Sequence, residues 1–212
     1  MVLAGLVLRM SSARLGDFWR GRRIMLRVAV PAAALMLAGC GGGPPATFDL
    51  AAVQNFAGAQ NGRGELVVYA PTAALPVDSQ RIVIRTGPEA VAYLKGAQWA
   101  DRVPELVQTR LIESFQNAHV LRAVGRPGLV ANYNLQTDVR RFEVDVEHGV
   151  ARVEISAQIV TAGGASVASK IFTAEAPAAN DEAATVTAAL NQALATVLRD
   201  IVVWAAPKVT KG

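Results

Sequence analysis

From Tyr133 to Glu175 the chain alternates apolar and polar residues with a period of two, and this run constrains the fold more than any other feature. Phe142, Val144 and Val146 alternate with Glu143, Asp145 and Glu147, and Val153 and Ile155 with Arg152 and Glu154. A two-residue turn at His148-Gly149 sets Val144 opposite Val153, Phe142 opposite Ile155 and Asp145 opposite Arg152, so apolar meets apolar and one opposite-charge pair forms. Glu143 then faces Glu154, a mismatch that a solvated face tolerates. Gly163-Gly164 reads as a second turn, into a strand from Val167 to Glu175. Its register stays open, since a simple count sets Lys170 against Ala157.

The remaining elements attach to this meander. Phe48 to Val53 reads as a short strand, and the Gly- and Asn-rich residues 57–64 as a loop. Glu65–Tyr69 and Arg81–Arg85 are β-branched strands separated by a loop containing Pro71 and Pro76. Ala100 to Asn117 carries Val103, Leu106, Val107, Leu111, Ile112 and Phe115 at helical spacing, with Arg102, Glu105, Gln108, Arg110 and Glu113 on the other face. Asp101 stands where a cap is expected and Pro104 in the first turn. A final helix, capped by Asn180 or Asp181, runs to about Trp204 with a stripe of Val186, Leu190, Leu194, Val197, Ile201 and Trp204. This order predicts an α/β (α+β) sandwich: a mixed β-sheet with a C-terminal meander and two amphipathic helices packed on it.

Six arginines and one acid, Asp17, lie in residues 1–39; of the chain's 21 basic and 17 acidic groups, 15 and 16 remain from Cys40 onward. The basic balance therefore belongs to a leader, and composition gives no argument for nucleic-acid binding. Arg22, Arg23 and Arg27 precede an apolar run, Val28 to Leu37, too short to cross a bilayer and laid out as a secretory signal. The run ends in Leu37-Ala38-Gly39-Cys40, which resembles the lipobox of bacterial lipoproteins, with Cys40 as the lipidated thiol. As the only cysteine, it allows no intramolecular disulfide and no all-cysteine metal site. Translation from Met25 gives a compact signal; translation from Met1 keeps Arg22-Arg23, which looks like a twin-arginine motif. Gly41 follows Cys40 where the enteric retention rule would require Asp, which favours the outer membrane over the periplasmic face of the inner membrane. The expected organisation is a signal over 1–39, lipidated Cys40 and a Gly/Pro tether over 40–47, one domain over 48–206 and a tail over 207–212.

Little in the chain looks catalytic. The two histidines, His119 and His148, fall at a helix end and in a turn, as solvated loop residues do. No nucleophile elbow, zinc-protease helix, phosphate loop or dinucleotide fingerprint occurs. Glu143, Asp145 and Glu147 read as outward strand charge beside Arg141 and Arg152 rather than paired catalytic carboxylates or a cation site. No enzyme, cofactor or metal is therefore expected. The stretch Tyr93 to Pro104 stands apart, placing aromatics and an amide directly before a helix. Tyr93, Gln98, Trp99, Asp101 and Arg102 are candidates for binding a partner; the other reading puts Trp99 on the core edge and Asp101 in a cap.

That stretch also carries a family resemblance. Tyr93-Leu94, Gln98-Trp99-Ala100-Asp101-Arg102, Pro104, Arg110-Leu111 and Phe115 resemble the auxiliary lipoprotein component of ABC-type transporters. Arg81–Ile84, Tyr133-Asn-Leu135, Arg141-Phe142-Glu143, Lys170-Ile-Phe172 and the helix from Ala188 to Trp204 extend the likeness, with Asn132 where the family pattern has Asp. The resemblance implies a non-catalytic lipoprotein that accompanies an ABC permease, its ATPase and a membrane-anchored MCE-domain protein. Such systems move phospholipid or other lipid between membranes, and the implied role is to hold the outer-membrane end. A homo-oligomer is left open. The alternative is a structural or regulatory lipoprotein acting on a periplasmic cell-wall synthase.

Overall fold

The computed structural model describes residues 43–56 and 60–210, so Leu37, Ala38, Gly39 and Cys40 lie outside the described residues. A mixed sheet of nine strands carries two helices on one face. The strands are β1 (Ala46–Phe48), β2 (Glu65–Val68), β3 (Thr72–Ala73), β4 (Arg81–Arg85), β5 (Val91–Trp99), β6 (Ala123–Gly125), β7 (Tyr133–Asp145), β8 (Val150–Thr161) and β9 (Ser166–Pro177). The helices are α1 (Val103–Ala118) and α2 (Ala183–Ala205), and a 3-10 turn follows at Ala206–Lys208. This is the expected α+β architecture, with the C-terminal meander followed by a helix.

The long strand β7 organises the sheet. Along one edge it pairs antiparallel with β8, which pairs antiparallel with β9. Along its other edge it receives β2, β3 and β4 in succession, all parallel, at Leu66↔Tyr133, Thr72↔Asp138 and Arg85↔Asp145. Outside β2 lies β6; outside β4 lies β5, with β1 beyond it. A bulge between Val139 and Arg141 shifts the pattern by one, so Leu135, Thr137 and Val139 face the helices before it and Phe142 and Val144 after it.

The first hairpin is wider than the sequence indicates. Residues 146–149 form the turn, Gly149 takes φ 64°, and the register is Glu143↔Arg152 and Val144↔Ala151. Relative to the expected pairing this slips by two residues, which leaves every side chain on its expected face. It also sets Glu143 against Arg152 and Arg141 against Glu154, removing the like-charge contact. In the second hairpin Ala157 pairs Lys170, as the simple count has it. The first strand is displaced: pairing covers Ala46–Phe48, its first two residues in the expected tether, and Asp49 to Phe56 run without a strand partner. At the other end, Val209 is fully buried, so packing continues beyond residue 206.

Both helices bury the stripes their spacing indicates, but neither is capped as expected. The α1 stripe residues Val103, Leu106, Val107, Leu111, Ile112 and Phe115 are buried. Asp101 accepts from the adjacent Arg102 N–H (2.7 Å) and the helix begins without a side-chain cap. Gln108, expected on the solvent face, is buried and donates from Nε2 to the Val68 carbonyl (2.9 Å), tying α1 to the end of β2. At α2, Asn180 Oδ1 accepts from Glu182 N–H (3.1 Å), just outside the helix. Val186, Leu190, Leu194, Val197 and Ile201 are fully covered, and Trp204 packs edge-on against Phe172 with centroids 5.4 Å apart. The helix is long and apolar enough to span a membrane, yet this stripe faces the sheet. Leu194→Asp therefore places a carboxylate in the core and should destabilise the fold by more than about 4 kcal/mol in chemical denaturation; a loss below about 1 kcal/mol would contradict the burial.

Candidate functional site

β5, which the sequence reading left without a strand, carries Tyr93, Gln98 and Trp99. Its pairing with β4 is irregular: Val83 faces Tyr93, while Arg81 faces Gln98. The intervening bulge region holds Gly96 at φ 71°, a conformation glycine adopts without penalty. Tyr93 and Gln98 thus share the face away from the helices, and the Arg81 guanidinium stacks 3.6 Å from the Tyr93 ring centroid. Gln98 Nε2 donates to Thr47 Oγ1 of β1 (3.4 Å). Arg102 Nε donates to Asp78 Oδ1 (3.0 Å), joining the start of α1 to the loop before β4. Asp101 is exposed.

Trp99 points the other way. It is 1% exposed and meets Phe142 edge-on at 5.7 Å between centroids. The expectation that it anchors a partner is corrected: strand alternation after the bulge turns its indole into the core. Tyr93, Gln98, Asp101 and Arg102 remain at the surface as one neighbourhood, partly occupied by their own contacts.

The acidic alternation also differs from expectation. Glu143 and Asp145 do face away from the helices, but each is only 4% exposed. Arg85 covers Glu143 with two parallel bonds, Nε to Oε1 at 2.8 Å and Nη2 to Oε2 at 2.9 Å. Asp145 accepts from Arg152 Nη1 (3.1 Å) and from the His148 backbone N–H (3.1 Å), and its Oδ2 lies 2.9 Å from His148 Nδ1. The bond with the His148 ring holds the Asp145 carboxyl below its ordinary value; burial opposes this, and the His148 N–H and Arg152 add to it. Arg152 also reaches Glu175 on β9 (2.7 Å). Reading Arg81–Arg85 only as a buried strand missed the two arginines. The signal was available: Arg81, Val83 and Arg85 share one face, the same face as the acids.

On the helix face, a cavity of about 750 Å³ opens beyond the N-terminal end of α2, within the range of small-molecule sites. Its floor is the cross-strand row Ala92, Ile84 and Val144, with Leu94 beside it and residues 178–182 above. Lys95, Asp181 and Glu182 stand at its edge. Among the described residues no group of three or more His, Cys, Asp or Glu side chains could hold a metal.

Residues 48–202 match the model of the ABC-type transport auxiliary lipoprotein component family, from Phe48 at the end of β1 to Val202 in the last turns of α2. The chain belongs to that family. An uncharacterised protein of Bradyrhizobium diazoefficiens is 35% identical over 175 residues, covering 77% of this chain; the chain spans about half of that relative's length, 46%. A crystal structure from Xanthomonas campestris superposes with a TM-score of 0.69 at 29% identity, over 76% of this chain and 94% of the other. A second solved structure, of an uncharacterised protein, shares the fold with a TM-score of 0.63 at 14% identity, over 76% and 97% of the two chains. The family match thus covers the whole surface neighbourhood around β5 and the buried charge cluster.

Two outcomes follow from the geometry. Trp99→Ala should cost about 3–5 kcal/mol of folding stability, the range for truncating a buried aromatic, measured by denaturant titration. Asp145, whose folded carboxyl is held below 3.8, contributes stability that is present above the unfolded value and lost as pH falls through the folded one. Asp145→Asn should accordingly flatten the acid limb of the stability–pH profile, and an unchanged limb would remove Asp145 from the account.

Proposed function

We propose that this protein is the non-catalytic, lipid-anchored member of an ABC/MCE-type transport assembly, docking the (phospho)lipid-carrying machinery at the outer membrane. The family match carries the reading. The signal layout over 1–39 and the Leu37–Cys40 motif support the anchor, and Gly41 after Cys40 supports the outer membrane. Since β1 begins at Ala46, residues 41–45 are all that separates Cys40 from the first paired strand, a reach of about 18 Å at full extension. A domain held that close to one membrane requires a partner that crosses the compartment to it, such as an MCE-domain protein with its permease and ATPase. The non-catalytic reading is supported by Glu143 and Asp145 of β7, which are held in ion pairs with arginine as structural charges are.

Cys40→Ala should abolish acyl labelling and move the protein from membrane to soluble fractions; retained membrane fractionation with unchanged mass would remove the anchor from the proposal. Affinity capture of the lipidated protein should recover the MCE-domain protein, and recovery of a cell-wall synthase instead would assign the lipoprotein to that system.

A further inference from the structure

Arg63 (φ 65°) and His119 (φ 53°) are the two non-glycine residues with positive φ among the described residues, and both line one groove of about 340 Å³ with Asn61, Leu121 and Arg122. A left-handed backbone is unfavourable for residues with a Cβ and free for glycine. Backbone strain of this kind gathers at functional sites.

The packing explains how the strain is held. Gly62 N–H donates to the Val120 carbonyl (2.8 Å), Arg122 N–H to the Gly64 carbonyl (3.0 Å) and Gly64 N–H to the Val209 carbonyl (3.1 Å). A Cβ on Gly62 would lie 2.0 Å from the Ala206 oxygen, and one on Gly64 2.6 Å from the Thr210 oxygen. Both glycines are thus demanded by close backbone approach, and Arg63 is clamped between them. Glycine at 63 would relieve the conformation and satisfy the fold, yet the chain carries an arginine. His119 ends α1 in the left-handed cap position, donating its N–H to the Gln116 carbonyl (3.2 Å), where glycine or asparagine is usual. Two positions that favour glycine therefore carry an arginine and an imidazole into the same groove. Arg122 adds a second cation, 69% exposed, with Glu65 3.2 Å away as the one acid paired there. Arg63 makes no ion pair among the described residues.

The groove, with two arginines against one paired acid, selects a ligand by charge. It continues the start of β2, level with the start of β7, whereas the tether enters β1 from the Asp145 end, where Ala46 pairs with Ala97. Most of β7 separates the two, on the order of 30–40 Å at the rise of a strand. Taking the Cys40 anchor of the proposed function as given, the groove lies beyond the roughly 18 Å reach of the five-residue tether. We propose that it is a docking site for an acidic peptide segment of a partner protein, its carboxylates received by Arg63 and Arg122.

The test uses the full-length lipidated protein in detergent micelles and a fluorescent hexaglutamate peptide, followed by anisotropy at physiological ionic strength. Arg63→Gly should weaken binding about tenfold or more while the melting temperature stays level or rises, because the strain is relieved. Arg140→Ala, an exposed arginine remote from the groove, should leave binding unchanged. Undiminished binding by Arg63→Gly, equal weakening by Arg140→Ala, or a lowered melting temperature in Arg63→Gly would each overturn the proposal. So would Arg63-dependent sedimentation of the Cys40→Ser protein with phosphatidylglycerol vesicles, which would assign the groove to phosphate headgroups. Intact mass of the same preparation reports acylation separately, so failure of the anchor and failure of the groove are distinguished.

Discussion

A strand of thirteen residues inside a sheet exposes two full edges of backbone donors and acceptors, and a buried edge left unpaired is costly. The structure depends on how β7 meets that requirement. Its β8 edge is satisfied continuously by a hairpin partner. Its other edge is satisfied in three instalments by one stretch of chain travelling in the same direction, β2 to β3 to β4. The interruptions coincide with Pro71 and with the loop containing Pro76, residues that lack the donor a continuous ladder would need. The elements on that side are placed by this edge: β6 and α1 follow from β2, and β5 and β1 from β4.

The same arrangement explains why carboxylates sit under cover on β7. Once β4 lies beside its end, Arg85 is adjacent to Glu143, and the hairpin brings Arg152 to Asp145. The helices bury one face of the sheet with hydrocarbon; at this corner the opposite face is closed by charge-assisted bonds. Such pairs add little net stability relative to an apolar replacement, since desolvation offsets their attraction. Their effect is on register, because a slip of the hairpin would put Glu143 against Glu154.

Much of the fold was legible where periodicity reports burial directly. The apolar stripe from Val186 to Ile201 and the alternation through Phe142 and Val153 each fix a face, and the faces are as read. The hairpin register was not legible, because a two-residue slip preserves every face and only the turn length decides it. β5 escaped because Val-Ala-Tyr-Leu-Lys-Gly-Ala-Gln-Trp breaks its alternation at the bulge and so looks like a loop before a helix. Trp99 was misplaced for the same reason: without a strand assignment nothing says which way its ring turns. Asp101, Asn180 and Asp181 have capping chemistry near the right places, but each helix starts one to three residues later. Arg63 was invisible from sequence, since Asn-Gly-Arg-Gly reads as a loop until the backbone shows which residue bears the left-handed angle.

The divided edge of β7 has a kinetic consequence. β7, β8 and β9 are joined by turns at residues 146–149 and 162–165, so their contacts are local and form with little loop-closure entropy. β2 and β4 must find β7 across roughly sixty residues of intervening chain and in parallel orientation. The meander with α2 is therefore the part that orders first, and the N-terminal strands add to it afterwards. Synthesis runs in the opposite sense. β2 and β4 are made earlier and lack their parallel partner until β7 exists, so the half of the sheet synthesised first is the last to be completed.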